Sequence, residues 1–197
     1  EGTSQIFGKV SKSHATKNGY HGVDGQAVEM WIWAPHGTLA DGYITQNVKN
    51  LPNGTYVFGA YAAASLQGTQ ESNKEDITGI TLFANENVVP VATDDPDRND
   101  VKWAHTAKFN VAATVAEGGD LHVGLKVEQT NANFTLIDNA TLYYFPGMSE
   151  AEALNEMAKI DIAATIAIAD TCFAHHMQVD TLALLNDAKA AAQSLTT

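Results

Sequence analysis

Between Gln26 and Tyr144 apolar residues recur at every second position in short β-branched or aromatic runs, and Gly, Asn, Asp and Pro separate the runs. This period of two predicts strands with one buried face, as in a sandwich or barrel. From Val28 to Trp33, Val28, Met30 and Ile32 share one face, and Glu29, Trp31 and Trp33 share the other. If the first set points inward, the two indoles are exposed, or are covered by a loop or by the C-terminal helices. Further strands are expected from Asp41 to Val48 and from Thr55 to Ala63, closed into a hairpin by Leu51-Pro52-Asn53-Gly54, where Pro presets a turn and Gly accepts positive φ. Next come Ile77 to Ala84 and Val88 to Ala92, then an acidic loop from Asp94 to Asp100. A long strand follows, with Val101, Trp103, His105, Ala107, Phe109 and Val111 on one face. Gly118-Gly119-Asp120 turns into Leu121 to Val127, and a last strand pair is expected at Phe134 to Ile137 and Thr141 to Phe145.

Alternation stops at Pro146-Gly147, where an Ala-rich helical pattern begins. Ser149 and Glu152 have the spacing of a capping box, in which hydroxyl and carboxylate each satisfy an orphan backbone N–H. The helix after them carries Leu154, Met157, Ile160, Ala164, Ile168 and Cys172 along one stripe, which Ile162, Ile166 and Phe173 widen. A second helix is expected from about Asp180. The chain therefore divides into a β-sandwich over 1–146 and a helical hairpin over 147–197.

Composition narrows the function. The 197 residues hold 11 Lys+Arg against 23 Asp+Glu, a formal charge of −12. Such a surface repels a phosphate backbone, which argues against nucleic acid and anionic membranes as partners. No stretch approaches the roughly 18 apolar residues of a membrane span, so no membrane insertion is expected. The single cysteine, Cys172, rules out an intramolecular disulfide and reads as a small buried hydrophobe. The opening Glu1-Gly2-Thr3, without Met or a basic-then-apolar leader, is expected of a mature or trimmed chain.

Candidate chemistry lies in rings beside Gly- or Pro-bearing loops. Flat aromatic faces suit the C–H faces of sugars, and Tyr20, His21, Trp31, Trp33, His36 and Trp103 qualify by position, although a strand aromatic is more often core. Asp95, Asp97 and Asn99 alternate in the acidic loop and could converge oxygens on calcium. The EF-hand template fails there, because Asp100 occupies its glycine place and Thr106 its final glutamate place, so a solvated turn is the first reading. His175-His176 point about 100° apart on a helix and make no metal pair. His105 reads as a hydrogen-bonded core histidine. There is no G-x-S-x-G elbow, P-loop or G-x-G-x-x-G after a strand, so no enzymatic activity is expected.

Several segments together resemble a known family. They are Tyr43-Ile44-Thr45-Gln46-Asn47-Val48, Leu51-Pro52-Asn53-Gly54-Thr55-Tyr56, Leu82-Phe83-Ala84-Asn85, Leu121-His122-Val123-Gly124-Leu125, Asn133-Phe134 and Asp138-Asn139-Ala140-Thr141-Leu142. Over roughly residues 20 to 146 they resemble the galactose-binding-like jelly-roll modules attached to carbohydrate-degrading secreted and surface proteins of bacteria. The resemblance implies a jelly-roll β-sandwich whose loops at one end hold a sugar, with a structural calcium as a possible cofactor. It also brings in Asp138, which would contribute to an ion or pin the last loop. The C-terminal helices resemble spacer hairpins of modular surface proteins. The function expected is a non-catalytic, weak binder of a neutral glycan on an exported protein, whether secreted, periplasmic or at the cell surface. The alternative is a structural or protein-interaction module that docks other domains of a larger surface protein and has no sugar site.

Overall fold

The computed structural model describes residues 3–9, 27–32, 37–65, 77–91, 106–172 and 179–195, with side chains for 27–32, 37–65, 77–91, 106–167 and 186–195. The described elements are β1 (Thr3–Lys9), β2 (Val28–Ile32), β3 (Gly42–Leu51), β4 (Gly54–Ser65), β5 (Ile80–Ala84), β6 (Asn87–Pro90), β7 (Ala107–Val115), β8 (Gly119–Val127), β9 (Phe134–Phe145), α1 (Glu150–Cys172) and α2 (Val179–Ser194).

The strands form two sheets, β1-β2-β9-β4-β7 and β3-β8-β5-β6, with antiparallel pairing throughout. Apart from the β5–β6 hairpin, every connection from β2 to β9 passes from one sheet to the other, which is the wrapping of a jelly roll. Alternation decides what fills the space between the sheets. Met30, Phe58, Val111 and Val115 point in from one sheet, and Leu82, Leu121, Val123 and Leu125 meet them from the other. β4 is hydrogen-bonded on both edges, and its inward Ala60, Ala62 and Ala64 let the opposing sheet approach closely.

The hairpin expected at Leu51-Pro52-Asn53-Gly54 does not form. β3 pairs with β8, and β4 pairs with β7 and β9, so this segment is a corner between sheets. Two tyrosines hold the corner: Tyr56 Oη donates to Pro52 O at 3.0 Å and Tyr144 Oη to Asn53 O at 2.9 Å, and their rings stack with centroids 4.9 Å apart. Glycine is required at 54 by close approach, since a Cβ there would lie 2.5 Å from the Tyr144 ring. The last strand pair is instead one strand, β9. Its register against β4 slips between Gly59 and Tyr61, and Asn139 takes φ 48° at the resulting bulge.

The helical segment begins as expected. Ser149 N donates to Glu152 Oε2 at 2.8 Å, and Glu152 N returns a bond to Ser149 Oγ at 3.4 Å. α1 then lies on the outer face of the larger sheet, where Ala153 and Met157 pack with Val57 and Ala112, flanked by Tyr143, Phe145 and Leu154. The buried face is thus narrower than the sequence stripe suggests, and Ile160 is 40% exposed. Glu150 joins the two edge strands to the helix: its Oε1 accepts from Thr114 N at 3.0 Å and its Oε2 from Asn87 Nδ2 at 3.0 Å. Among the described residues no helix is long and apolar enough to cross a membrane.

Candidate functional site

The outer face of the larger sheet carries two of the residues singled out in the sequence. Antiparallel register sets three rows across β4, β9 and β2. Ser65, Phe134 and Trp31 form the first, Ala63, Leu136 and Glu29 the second, and Tyr61 and Asp138 lie in the third, which ends beside Ala27. Alternation puts all of these side chains on the face opposite Met30 and Ile137, which belong to the main core.

Trp31 is half-buried against a separate apolar cluster of Ala27, Ala63, Phe134 and Leu136. The indole therefore stands on the outer face of the sheet, with part of its surface packed on that cluster. Glu29, Tyr61 and Asp138 on the same face are also half-buried. With strands about 4.8 Å apart and a rise of about 3.3 Å per residue, Trp31 and Tyr61 stand roughly 16 Å apart, with the two carboxylates between them. Rigid rings bounding hydrogen-bond acceptors can stack on the C–H faces of a ligand and accept from its hydroxyls.

Asp138 sits inside β9, one residue before the bulge at Asn139, and not in a terminal loop. Tyr20, His21, Trp33, His36, Trp103, His105, His175 and His176 lie outside the described residues, as do Asp95, Asp97 and Asn99 of the acidic loop. The Cys172 side chain is likewise outside them. Among the described residues, no group of three or more His, Cys, Asp or Glu gathers as a metal site.

Tyr61 and Glu29 were not singled out in the sequence. Tyr61 lies in a strand with no loop beside it, and its partnership with Asp138 depends on pairing across 77 positions, which no local pattern reveals. A shallow cleft of about 570 Å³ separates the start of α1 from the end of α2, lined by Met148, Glu152, Asn155, Lys159, Ile162 and Leu195. Its apolar and charged walls are mixed, and Leu195 is 69% exposed.

No family model and no curated protein matches the chain. Among solved structures it is similar to three carbohydrate-binding modules. TmCBM61, solved in complex with β-1,4-galactotriose, is 19% identical, covering 74% of this chain and 86% of that one at a TM-score of 0.49. A family 35 module from Clostridium thermocellum is 17% identical over 71% and 88%, at 0.38. A family 16 module is 19% identical over 64% and 81%, at 0.34.

Proposed function

We propose that this protein is a non-catalytic carbohydrate-binding module of an exported bacterial protein, and that it binds a neutral glycan weakly through the face that carries Trp31. The observation that supports this reading is the partly packed indole of Trp31, set on a rigid sheet with Tyr61, Glu29 and Asp138 on the same face. A ring already held in part by packing loses less freedom when a sugar stacks on it. Polar groups on strands orient hydroxyls better than groups on loops do. Affinity is expected to be weak because a few half-buried side chains remove little ligand surface from water. In the proposal Trp33, Tyr20, His36 and Trp103 also contribute to glycan binding, and Asp95, Asp97 and Asn99 would hold calcium.

A glycan array with and without a calcium chelator tests the reading, using the wild type and Trp31→Ala. Binding to a neutral glycan that the substitution abolishes supports it. Binding to nothing on the array moves the assignment to a structural or protein-interaction module, for which the cleft beside Met148 and Leu195 is the surface to examine.

A further inference from the structure

The corner between β3 and β4 carries a chemically labile pair of residues. Asn53-Gly54 is one of two Asn-Gly pairs in the chain; the other, Asn18-Gly19, lies outside the described residues. In such a pair the side-chain amide carbon and the next backbone nitrogen are one bond short of a five-membered ring, and glycine has no Cβ to hinder closure. Asn53 is exposed, so water reaches it. Its hydrogen bonds are made by its backbone: N donates to Glu117 Oε2 at 2.9 Å, and O accepts from Tyr144 Oη at 2.9 Å. Among the described residues nothing ties the side-chain amide, which can turn toward Gly54. A larger residue at 54 would slow the ring closure, but its Cβ would lie 2.5 Å from the Tyr144 ring, so the fold keeps the labile pair.

The attacking nitrogen is engaged. On β7, Ala112 O accepts from Asn87 Nδ2 and Thr114 N donates to Glu150 Oε1, so both residues turn their backbone groups away from β4. Alternation then turns Val115 toward β4, where its register partner is Gly54, and the Gly54 N–H donates the last rung of the β4–β7 ladder. An amide held in that rung cannot swing onto Asn53 Cγ. Ring closure needs the rung to open, and the end of a strand opens far more often than the whole fold. Tyr144 opposes the opening by anchoring Asn53 O.

We propose that Asn53 is a site of spontaneous deamidation gated by this corner. With the rung open, the Gly54 nitrogen gives its proton to hydroxide and attacks Asn53 Cγ. The N–Cγ bond forms, the Cγ–Nδ2 bond breaks, and Nδ2 takes a proton from water and leaves as ammonia. Water then opens the succinimide at either carbonyl. Rupture of the N–Cγ bond gives aspartate, and rupture of the bond to the main-chain carbon gives isoaspartate. The net change is amide plus water to acid plus ammonia, with nothing oxidised or reduced.

In isoaspartate the carbonyl that Tyr144 holds becomes a free carboxylate, and the path to Gly54 gains a methylene. The new charge stands beside Glu117, which already accepts from Asn53 N. The corner cannot reclose on its original bonds, so the conversion runs one way and leaves this end of β4 unpinned. Gly54 and Ser65 are the two ends of β4, roughly 36 Å apart at about 3.3 Å per residue, so the site is separate from the face of Trp31 and does not rest on glycan binding.

Incubation of the full chain at mildly alkaline pH, native and in denaturant, tests the proposal, with Tyr144→Phe, Asp161→Ala and Asn53→Gln alongside. Circular dichroism verifies that the variants fold, and peptide mapping with ammonia release reads Asn53 and Asn18 in the same digest. In denaturant Asn53 should convert at a rate comparable to Asn18, and in the native chain at least about tenfold more slowly. Tyr144→Phe, short of one hydrogen bond, should raise the native rate by about twofold to tenfold. Asp161→Ala loosens the far end of β7 and should leave the rate unchanged. Asn53→Gln should block conversion, because its longer side chain would have to close a larger ring. Equal rates in the native and denatured chain overturn the gate, as does equal acceleration by Tyr144→Phe and Asp161→Ala, which would mean that only global unfolding exposes the pair. An Asn53 that stays intact in denaturant while Asn18 converts overturns the site.

Discussion

Asn110 Nδ2 on β7 donates to Asp161 Oδ2 on α1 at 2.7 Å, and the other oxygen of the same carboxylate forms an ion pair with Lys108 Nζ. One helical carboxylate thus bridges two successive outward residues of the edge strand, and both ion-pair partners are largely shielded, at 20% and 23% side-chain exposure. Replacing Asp161 with Ala strands a half-buried ammonium and an amide. The loss should fall between that of an exposed pair and a buried one, about 1–3 kcal/mol. Chemical denaturation of Asp161→Ala reads it as a lowered midpoint, and Asp161→Asn should recover part of the loss by keeping the Asn110 bond.

Met157 is fully buried between α1 and the outer sheet face, beside Val57 and Ala112. Met157→Ala should destabilise the protein by about 2–4 kcal/mol, from lost transfer energy and the cavity left behind. Thermal unfolding checks this, and a change of under about 0.5 kcal/mol would mean that the helix is not seated there in solution.

Gly124→Ala should be worse than its size suggests. The added methyl would meet the backbone of β3 and not a mobile side chain, so relief requires the β3–β8 pair to move apart. A loss of about 2 kcal/mol or more is expected from this overpacking, with faster amide exchange at Thr45 and Gln46 as its local signature.

Two hydrogen bonds from Ser149, backbone N–H first and hydroxyl second, hold the Glu152 carboxyl below its ordinary pKa. A depressed folded-state pKa means stability that is present above the unfolded value and lost as pH falls through the folded one. The start of α1 should therefore fray on acidification between roughly pH 5 and pH 3, and Glu152→Gln should remove that pH dependence. Amide exchange at Ala153 and Leu154 across that range is the measurement.

Much of the sandwich was legible because the strand period is local. The shared face of Val28, Met30 and Ile32, the run Leu121, Val123, Leu125 and Val127, and the capping box at Ser149 all follow from spacing within a few residues, whereas which face of Val28 to Trp33 turns inward did not. What failed depended on partners distant in sequence. Leu51-Pro52-Asn53-Gly54 has the composition of a hairpin turn, but β4 is claimed on both edges by β7 and β9, and this forces a corner. Asn139 reads as a turn residue and proves to be a bulge, since positive φ serves either. Loop proximity led to Trp31 but not to Tyr61, because sharing a sheet face is a property of register and not of the local run.

The central claim is that the protein binds a neutral glycan through the face of Trp31, and titration calorimetry with the best-bound array oligosaccharide tests it most directly. The expected result is a weak, saturable association for the wild type that Trp31→Ala reduces at least roughly tenfold while the melting temperature stays within a few degrees. Undiminished binding by a folded Trp31→Ala would contradict the claim.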